Sequence, residues 1–311
     1  MPSRLVGPGK ARNDRPNRVL IGGYYLVKSL KEGGMSQGIN LVKSKTSGNK
    51  YIEKHAETDR LYRRRAETEI RALKRVDKGH LNLNQLHTYK WFTDLRVCSV
   101  LLEYCDEGSG EDLINSHIDA AVPISEDFLW HIFASLANAL AFLHHGVMDP
   151  LREADNPRWD YIYHLDIKPC NFFLTSRARQ GRFPRVVLGD FGCSVSASDV
   201  DTGRESSRQQ PFGTPDWYPP EGLVNPQNEG RTSYGKMTDI WQLGATIHVA
   251  CRLGEHPNRG HLEFADTVLG SARVQYSLAL AKTVFSCAHP RKNKRPSALE
   301  LAALLSNKPI R

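Results

Sequence analysis

Apolar residues along the chain follow two different periods. From Tyr24 they come in short runs, YYLVKSL, INLVKSK and KYIEKHA, rich in β-branched and aromatic residues and separated by glycine-containing breaks. Each run predicts a strand, and TSGN between the second and third predicts a hairpin turn. In RLYRRRAETEIRALKRV the spacing lengthens: Leu61, Ile70, Leu73 and Val76 recur at helical intervals between charged residues. LHTYKWF and RVCSVLLEYC return to strand character, joined by a TDL turn. These segments predict a small sheet with one helix.

After CDEGSGED the helical period dominates. SEDFLWHIFASLANALAFLHHG opens on Ser125 as a capping residue, lines Leu129, Ile132, Phe133, Leu136, Leu140 and Leu143 along one face, and stops at Gly146. Two strand-like pieces follow, NFFLTS and RVVLGDFG, and LTSRARQGRFPRVVLG around their junction reads as an extended hairpin loop. The chain closes on the amphipathic SALELAALLSN, and no internal repeat is present. The predicted order is a small β-rich unit, a hinge and a larger α-rich unit, with a ligand cleft between them.

Composition narrows the class. The 311 residues are 40% hydrophobic and 24% charged, the balance of an ordinary globular chain. No apolar run approaches the length of a membrane span, and the first twenty residues, rich in Arg, Pro, Gly and Asn, read as a flexible basic tail without a signal core. The six cysteines form no CxxC pair, which suits neither a zinc site nor a disulfide framework. They read as reduced thiols of an intracellular protein, cytoplasmic or nuclear. The formal net charge is +8, with clusters at Arg63, Arg64 and Arg65 and in HPRKNKRPS. A nucleic-acid binder would need such a stripe, but solvated helix faces account for it with less.

The chemistry concentrates in YIYHLDIKPCNFFL, residues 161–174. An acid, a base and an amide lie within eight residues, flanked by residues that favour burial. Taken alone, the cluster reads equally as a polar surface turn. HLDIKPCN, however, resembles the catalytic loop H-R-D-x-K-x-x-N of eukaryotic protein kinases. GDFG at 189–192 resembles their metal-binding loop, GTPDWYPPE at 213–221 the end of their activation segment, DIWQLG at 239–244 the helix start that follows, and KRPSALEL at 294–301 their last Arg-containing helix. Five such matches in the family's order span roughly residues 24–305.

The resemblance implies an α+β, two-lobed protein-kinase fold: a tail at 1–20, a β-rich N-lobe with one helix at 21–104, and a mainly helical C-lobe at 105–311. It implies a serine/threonine kinase using ATP and Mg²⁺, with proteins bearing Ser or Thr as substrates; Lys168 and Thr214 resemble the serine/threonine-specific branch. The wording of the motifs looks closest to the NIMA-related group and to fungal kinases near it. By that likeness Asp166 accepts the proton of the attacking hydroxyl, Lys168 and Thr214 assist, and Asn171 and Asp190 hold metal. Lys54 in YIEK grips phosphates. Its partner is Glu69 or Glu67, with Glu69 preferred because it precedes IxxLK. Leu102 stands as gatekeeper, the backbones of Glu103 and Cys105 meet adenine, and Phe173 lies below it. Cys105 and Cys193 read either as reactive thiols at the cleft or as inert small hydrophobes. Glu221 and Arg295 resemble a structural ion pair of the large lobe.

Three departures stand out. KEGGMSQGINLV supplies Gly33, Gly34 and Gly38 before Ile39, but not a regular G-x-G-x-x-G. Ile52 occupies a position usually held by Ala, which narrows the adenine pocket from above. Leu165 replaces the Arg that ordinarily precedes the catalytic Asp and pairs with an activation-segment phosphate, so activity is expected not to depend on phosphorylation of Thr202, Ser206 or Ser207. Together the departures leave open a second reading, a pseudokinase with a scaffold or allosteric role.

Overall fold

A computed structural model describes residues 19–30, 36–59, 62–76, 80–204, 213–223, 234–264, 269–271 and 274–306. All but the last two residues of the expected tail, and also Gly33, Gly34, Leu61, Ser206 and Ser207, lie outside the described residues.

Five antiparallel strands form the N-terminal sheet: β1 (Tyr24–Leu30), β2 (Ser36–Ser44), β3 (Lys50–Glu57), β4 (Leu86–Phe92) and β5 (Val97–Glu103), in the order β1-β2-β3-β5-β4. The turn between β2 and β3 places Gly48 at φ +71°, a conformation glycine adopts without steric cost. Between β3 and β4 runs α1 (Tyr62–Val76), which buries Ile70, Leu73 and Val76. Glu53 of β3 is fully buried: its Oε1 accepts from Ser99 Oγ of β5 and from the backbone N–H groups of Leu20 and Ile21, which ties the chain entering β1 to the sheet.

The C-terminal part begins with α2 (Gly110–Asp119) and α3 (Glu126–His145). Ser125 caps α3 by accepting from Phe128 N–H, and Gly146 ends it at φ +69°, where a Cβ would meet the Trp159 ring at 2.8 Å. The burial of α3 is wider than the single face its apolar spacing suggests. Ala137, Ala139, Ala141 and Phe142 are buried as well, because β8 (Phe183–Leu188), α5 (Lys236–Arg252) and α8 (Ala298–Ser306) pack around it. Small residues between the leucines let those neighbours approach.

Ahead of β8 come β6 (Ile162–Tyr163) and β7 (Phe172–Gln180). The expected hairpin loop is mostly strand: β7 continues to Gln180, with an irregularity between Thr175 and Gln180 and a turn at Gly181, φ +70°. Within the polar stretch SRARQ, Ser176 and Arg177 are exposed and held by polar bonds: Asp106 accepts from Ser176 N–H and Oγ, and the Arg177 carbonyl accepts from Arg185 Nε. Then follow β9 (Val195–Ser196), α4 (Ala197–Asp201), α6 (Arg259–Phe264), the β10 (Gly270–Ser271) and β11 (Val274–Gln275) pair, and α7 (Leu278–Cys287). Arg295 bonds Glu221 through both guanidinium ends at 2.6 and 2.8 Å, joining the loop before α5 to the segment before α8. The architecture is α+β, a β-rich N-terminal lobe with one helix and a mainly helical C-terminal lobe.

Candidate active site

Where the two lobes meet, β3 and α1 bring a cation between two carboxylates. Lys54 Nζ lies 2.8 Å from Glu69 Oε1 and 2.7 Å from Asp190 Oδ1. Glu67 points elsewhere, pairing with Arg63 at 3.0 Å on the exposed side of the helix. Ile39, half-buried, is the cross-strand partner of Lys54, so both side chains leave the sheet on the same face. Burial works against the charge on Lys54, but Asp190 and then Glu69 outweigh it and hold the ammonium protonated well above its ordinary range. Burial raises the Asp190 carboxyl too, but Lys54 overrides this and brings it down to about 2. Glu69, with less access to water than Asp190, is raised by that burial, which Lys54 only partly offsets. Asp190 sits in the left-handed region at φ +59° with 42% of its side chain open to the cleft.

The candidate catalytic-loop residues form a second knot. Asp166 Oδ1 accepts from Thr214 N–H at 3.1 Å and Thr214 Oγ1 at 2.9 Å; Oδ2 accepts from Lys168 Nζ at 3.0 Å and Asn171 Nδ2 at 2.9 Å. Lys168 also donates to Thr214 Oγ1. Burial opposes the charge on Lys168, and the adjoining Asp166 reverses this, raising its pKa above the ordinary value. Gly213 admits no side chain, since a Cβ there would meet the Leu165 carbonyl oxygen at 2.9 Å.

Residues outside the candidate set hold this loop. Asp239, fully buried on α5, accepts from the backbone N–H groups of His164 (2.9 Å) and Leu165 (2.8 Å) and from His144 Nε2 (2.8 Å). Gln242, one turn on, accepts from Ile167 N–H at 3.0 Å and donates to the carbonyls of Leu165 (3.1 Å) and Trp217 (3.2 Å). Leu165 is buried at φ +66°, an uncommon conformation for a branched side chain, maintained by these bonds on both sides of it. His164 packs on the buried Phe191 ring and bonds Gly189 O at 2.9 Å. The motif DIWQLG contained both Asp239 and Gln242; what it lacked was any sign that they point at the loop.

Ile52 and Leu102 are cross-strand partners, Leu102 in the apolar core and Ile52 half-buried against it. The Glu103 carbonyl accepts from Asn84 Nδ2 at 3.4 Å, and the Glu103 side chain is bonded by Arg185 of β8. Phe173 bridges to Ser109, and its ring lies where a Cβ on Gly189 would be, 2.9 Å away. Cys105 and Cys193 are buried. Burial first, then Glu103, pushes the Cys105 thiol to about 12, and burial with Asp166 and Asp190 raises Cys193 further. Such thiols carry too little thiolate to react, which favours their reading as small hydrophobes. Gly38 lies in β2 opposite His55, where an added Cβ would meet, among the described residues, His55 Nδ1 at 3.7 Å.

On the far side of α1, Arg71 Nη2 meets Asp199 Oδ1 at 2.9 Å and Arg75 Nη2 meets Asp160 Oδ2 at 2.6 Å. Asp199 also accepts from Arg204 Nε at 3.1 Å, and Asp160 accepts from Ser198 N–H and Oγ at 2.9 and 2.8 Å. Thr202 donates to the Ser198 carbonyl. Nothing in the sequence singled out these pairs.

The donor set fits Mg²⁺ carried by phosphates. Among the described residues no three His, Cys, Asp or Glu side chains cluster as an all-protein metal site. Mg²⁺ characteristically takes one or two protein oxygens and completes its shell with phosphates and water. Asp190 presents its carboxylate to the cleft, and Asn171, whose Nδ2 is spent on Asp166 O (2.7 Å) and Oδ2, leaves its amide oxygen as the remaining side-chain donor.

Comparison with known proteins matches this sequence to a family. The protein kinase domain matches residues 24–304. The serine/threonine-protein kinase Nek1 of Toxoplasma gondii is 28% identical over 71% of this chain and 13% of its own length. The G2-specific protein kinase fin1 of Schizosaccharomyces pombe is 26% identical over 71% of this chain and 30% of its own. Mitogen-activated protein kinase kinase 2 of Arabidopsis thaliana is 29% identical over 56% of this chain and 39% of its own. The chain thus aligns with less than half the length of these relatives. With residues 24–304 matched and the site assembled on that fold, the chain belongs to the protein kinase domain family.

Proposed function

We propose that this chain is an ATP-dependent serine/threonine protein kinase that transfers the γ-phosphoryl group to protein hydroxyls, with lobes at 21–104 and 105–311. The observation that carries the reading is Lys54 held between Glu69 and Asp190 while Asp166 is bonded by Lys168, Asn171 and Thr214. Phosphoryl transfer asks a protein mainly for positioning and charge neutralisation, and these groups are of the types that supply both. Lys54, kept charged by its two carboxylates, grips the α- and β-phosphates. Gly33, Gly34, Gly38 and Ile39 cover the nucleotide; Glu103, Cys105 and Phe173 border the adenine. Asp190 and Asn171 hold Mg²⁺, which when bound offsets phosphate charge. Asp166 accepts the proton as the substrate oxygen bonds to the γ-phosphorus; the bond from that phosphorus to the β-phosphate oxygen breaks, and ADP leaves with the electron pair. Lys168 lies beside Asp166, where it neutralises the transferred group.

Preference for serine and threonine is supported by Lys168 and Thr214 and by relatives named as serine/threonine kinases. Leu165 makes this a kinase without the usual Arg before the base. The test is γ-phosphate transfer from Mg-ATP to a generic Ser/Thr substrate, beside Asp166→Asn. Wild-type turnover of about 1–100 per second, abolished in the variant, is expected. A saturating nucleotide, at a hundred times its Kd, should add about 2.7 kcal/mol of stability. Neither transfer nor stabilisation in the wild type would overturn the reading in favour of a scaffold.

A further inference from the structure

The helix that carries Glu69 is held from behind by ions of the protein's own. Arg71 and Arg75 follow Glu69 on α1 by two and six residues. Arg71 reaches Asp199 in α4 at 2.9 Å, and Arg75 reaches Asp160, in the loop before the catalytic loop, at 2.6 Å. Asp160 in turn accepts two hydrogen bonds from Ser198, the residue before Asp199. Three segments far apart in sequence close on one another through two carboxylates and two guanidinium groups.

These are not loose surface pairs. The Asp199 side chain is 2% exposed, and Asp160, Arg71 and Arg75 are about one-quarter to one-third exposed, at 28%, 33% and 26%. Arg71 Nε and Arg75 Nη1 are buried without a hydrogen-bond partner among the described residues, so part of each guanidinium has given up water, and its nearby carboxylate offsets that loss. Asp199 is fixed in turn: its Oδ2 accepts from Ser196 Oγ at 2.8 Å in the capping box of α4, and its Oδ1 accepts from Arg204. Burial would raise the Asp199 carboxyl, but the Ser196 hydrogen bond and the Arg71 charge lower it below its ordinary value. Leu165, buried and uncharged, brings no cation to this region. The anions that meet Arg71 and Arg75 are carboxylates carried in the sequence.

We infer that Asp199 and Asp160 are positioning residues, a pair of built-in anions that hold α1 through Arg71 and Arg75 where Glu69 meets Lys54, with no phosphate needed. The inference rests on the kinase reading and explains how such a kinase is ordered without a modified loop.

The test uses the full chain, phosphatase-treated and untreated, with Asp199→Asn, Arg71→Gln, the double variant and Arg71→Lys. Each single neutral substitution should lower kcat/KM for ATP about tenfold, chiefly through KM, and the double variant should be no worse than the singles. Arg71→Lys should restore much of the loss, and phosphatase should change nothing. Amide exchange in α1 should quicken while α3 keeps its protection. Singles that leave both kcat/KM and α1 exchange unchanged, strictly additive losses, or a many-fold effect of phosphatase on the wild type would overturn the inference. Should the wild type transfer no phosphate, the kinase reading fails, and α1 exchange in the variants still decides whether the ion pairs hold the helix. If Asp199→Asn also loses α3 protection through unfolding, Arg75→Gln and Asp160→Asn take its place with the same expectations.

Discussion

The two sides of the cleft are held by different means. The catalytic loop hangs from α5 by hydrogen bonds inside the core: Asp239 and Gln242, both fully buried, serve the backbone on either side of Leu165. The helix bearing Glu69 is held by charge pairs that keep partial contact with water. The first arrangement resists any displacement because each bond lost leaves a buried group unsatisfied. The second can be loosened at modest cost in fold stability, which suits an element whose position sets function rather than folding.

The largest effect should come from attacking the interior anchor. Asp239→Ala removes the acceptor of three buried donors and should destabilise the chain by about 3–5 kcal/mol, a fall in Tm on the order of 10 °C for a chain of this size. Calorimetry would check it, and a change of only a degree or two would mean that the loop is held mainly by apolar packing.

Acid should separate the two sides next. Burial lowers His80 to about 4, and burial with His261 and Arg252 lowers His248 to about 3. Their ordinary pKa is 6.5, so between that value and 4 the unfolded chain binds more protons than the folded one. Their contribution is complete above pH 6.5 and is lost as pH falls, by at most about 1.4 kcal/mol per pH unit for each imidazole. Asp199 depends on pH with the same sign but over a lower range: its carboxyl is depressed, so its pairing persists through this window and is lost only as pH falls below the ordinary carboxylate range. Tm should therefore decline between pH 6.5 and 4 while α1 exchange protection, relative to global stability, does not. A flat Tm over that window would contradict it.

Smallest should be Arg75→Gln, which on the partly exposed side should cost no more than about 1 kcal/mol in stability while raising KM for ATP. A large loss of stability with KM unchanged would erase the distinction between the two sides.

The contrast also explains what could be read beforehand. β4 at Leu86–Phe92 and the caps of α3 at Ser125 and Gly146 follow from local pattern and turn chemistry, and they are where the sequence places them. The candidate catalytic residues Asp166, Lys168 and Asn171 announce themselves through spacing within one short loop. Arg71 and Asp199 are 128 positions apart, and each is an ordinary charged residue beside others of its kind. Arg63, in the same basic stretch of α1, does pair locally with Glu67 on the exposed side, as solvated faces do. Gln242 escaped notice for another reason: a polar residue on a buried helix is informative only once its neighbours are known. The length of β7 was hidden because Ser176 and Arg177 are exposed and held by polar bonds, which demand no apolar alternation.

Asp166 holds a further consequence. All four of its strong contacts are made by the protein itself, and one is a threonine hydroxyl, Thr214 Oγ1, at 2.9 Å. If Asp166 is the base proposed above, that hydroxyl is of the same chemical kind as a serine or threonine acceptor and would stand at the base between turnovers. Water competing for the same carboxylate would hydrolyse ATP to no purpose. On the proposed reading, the resident hydroxyl would keep that position filled until a substrate displaces it, and thrift with ATP would rest on a side chain that impersonates the substrate.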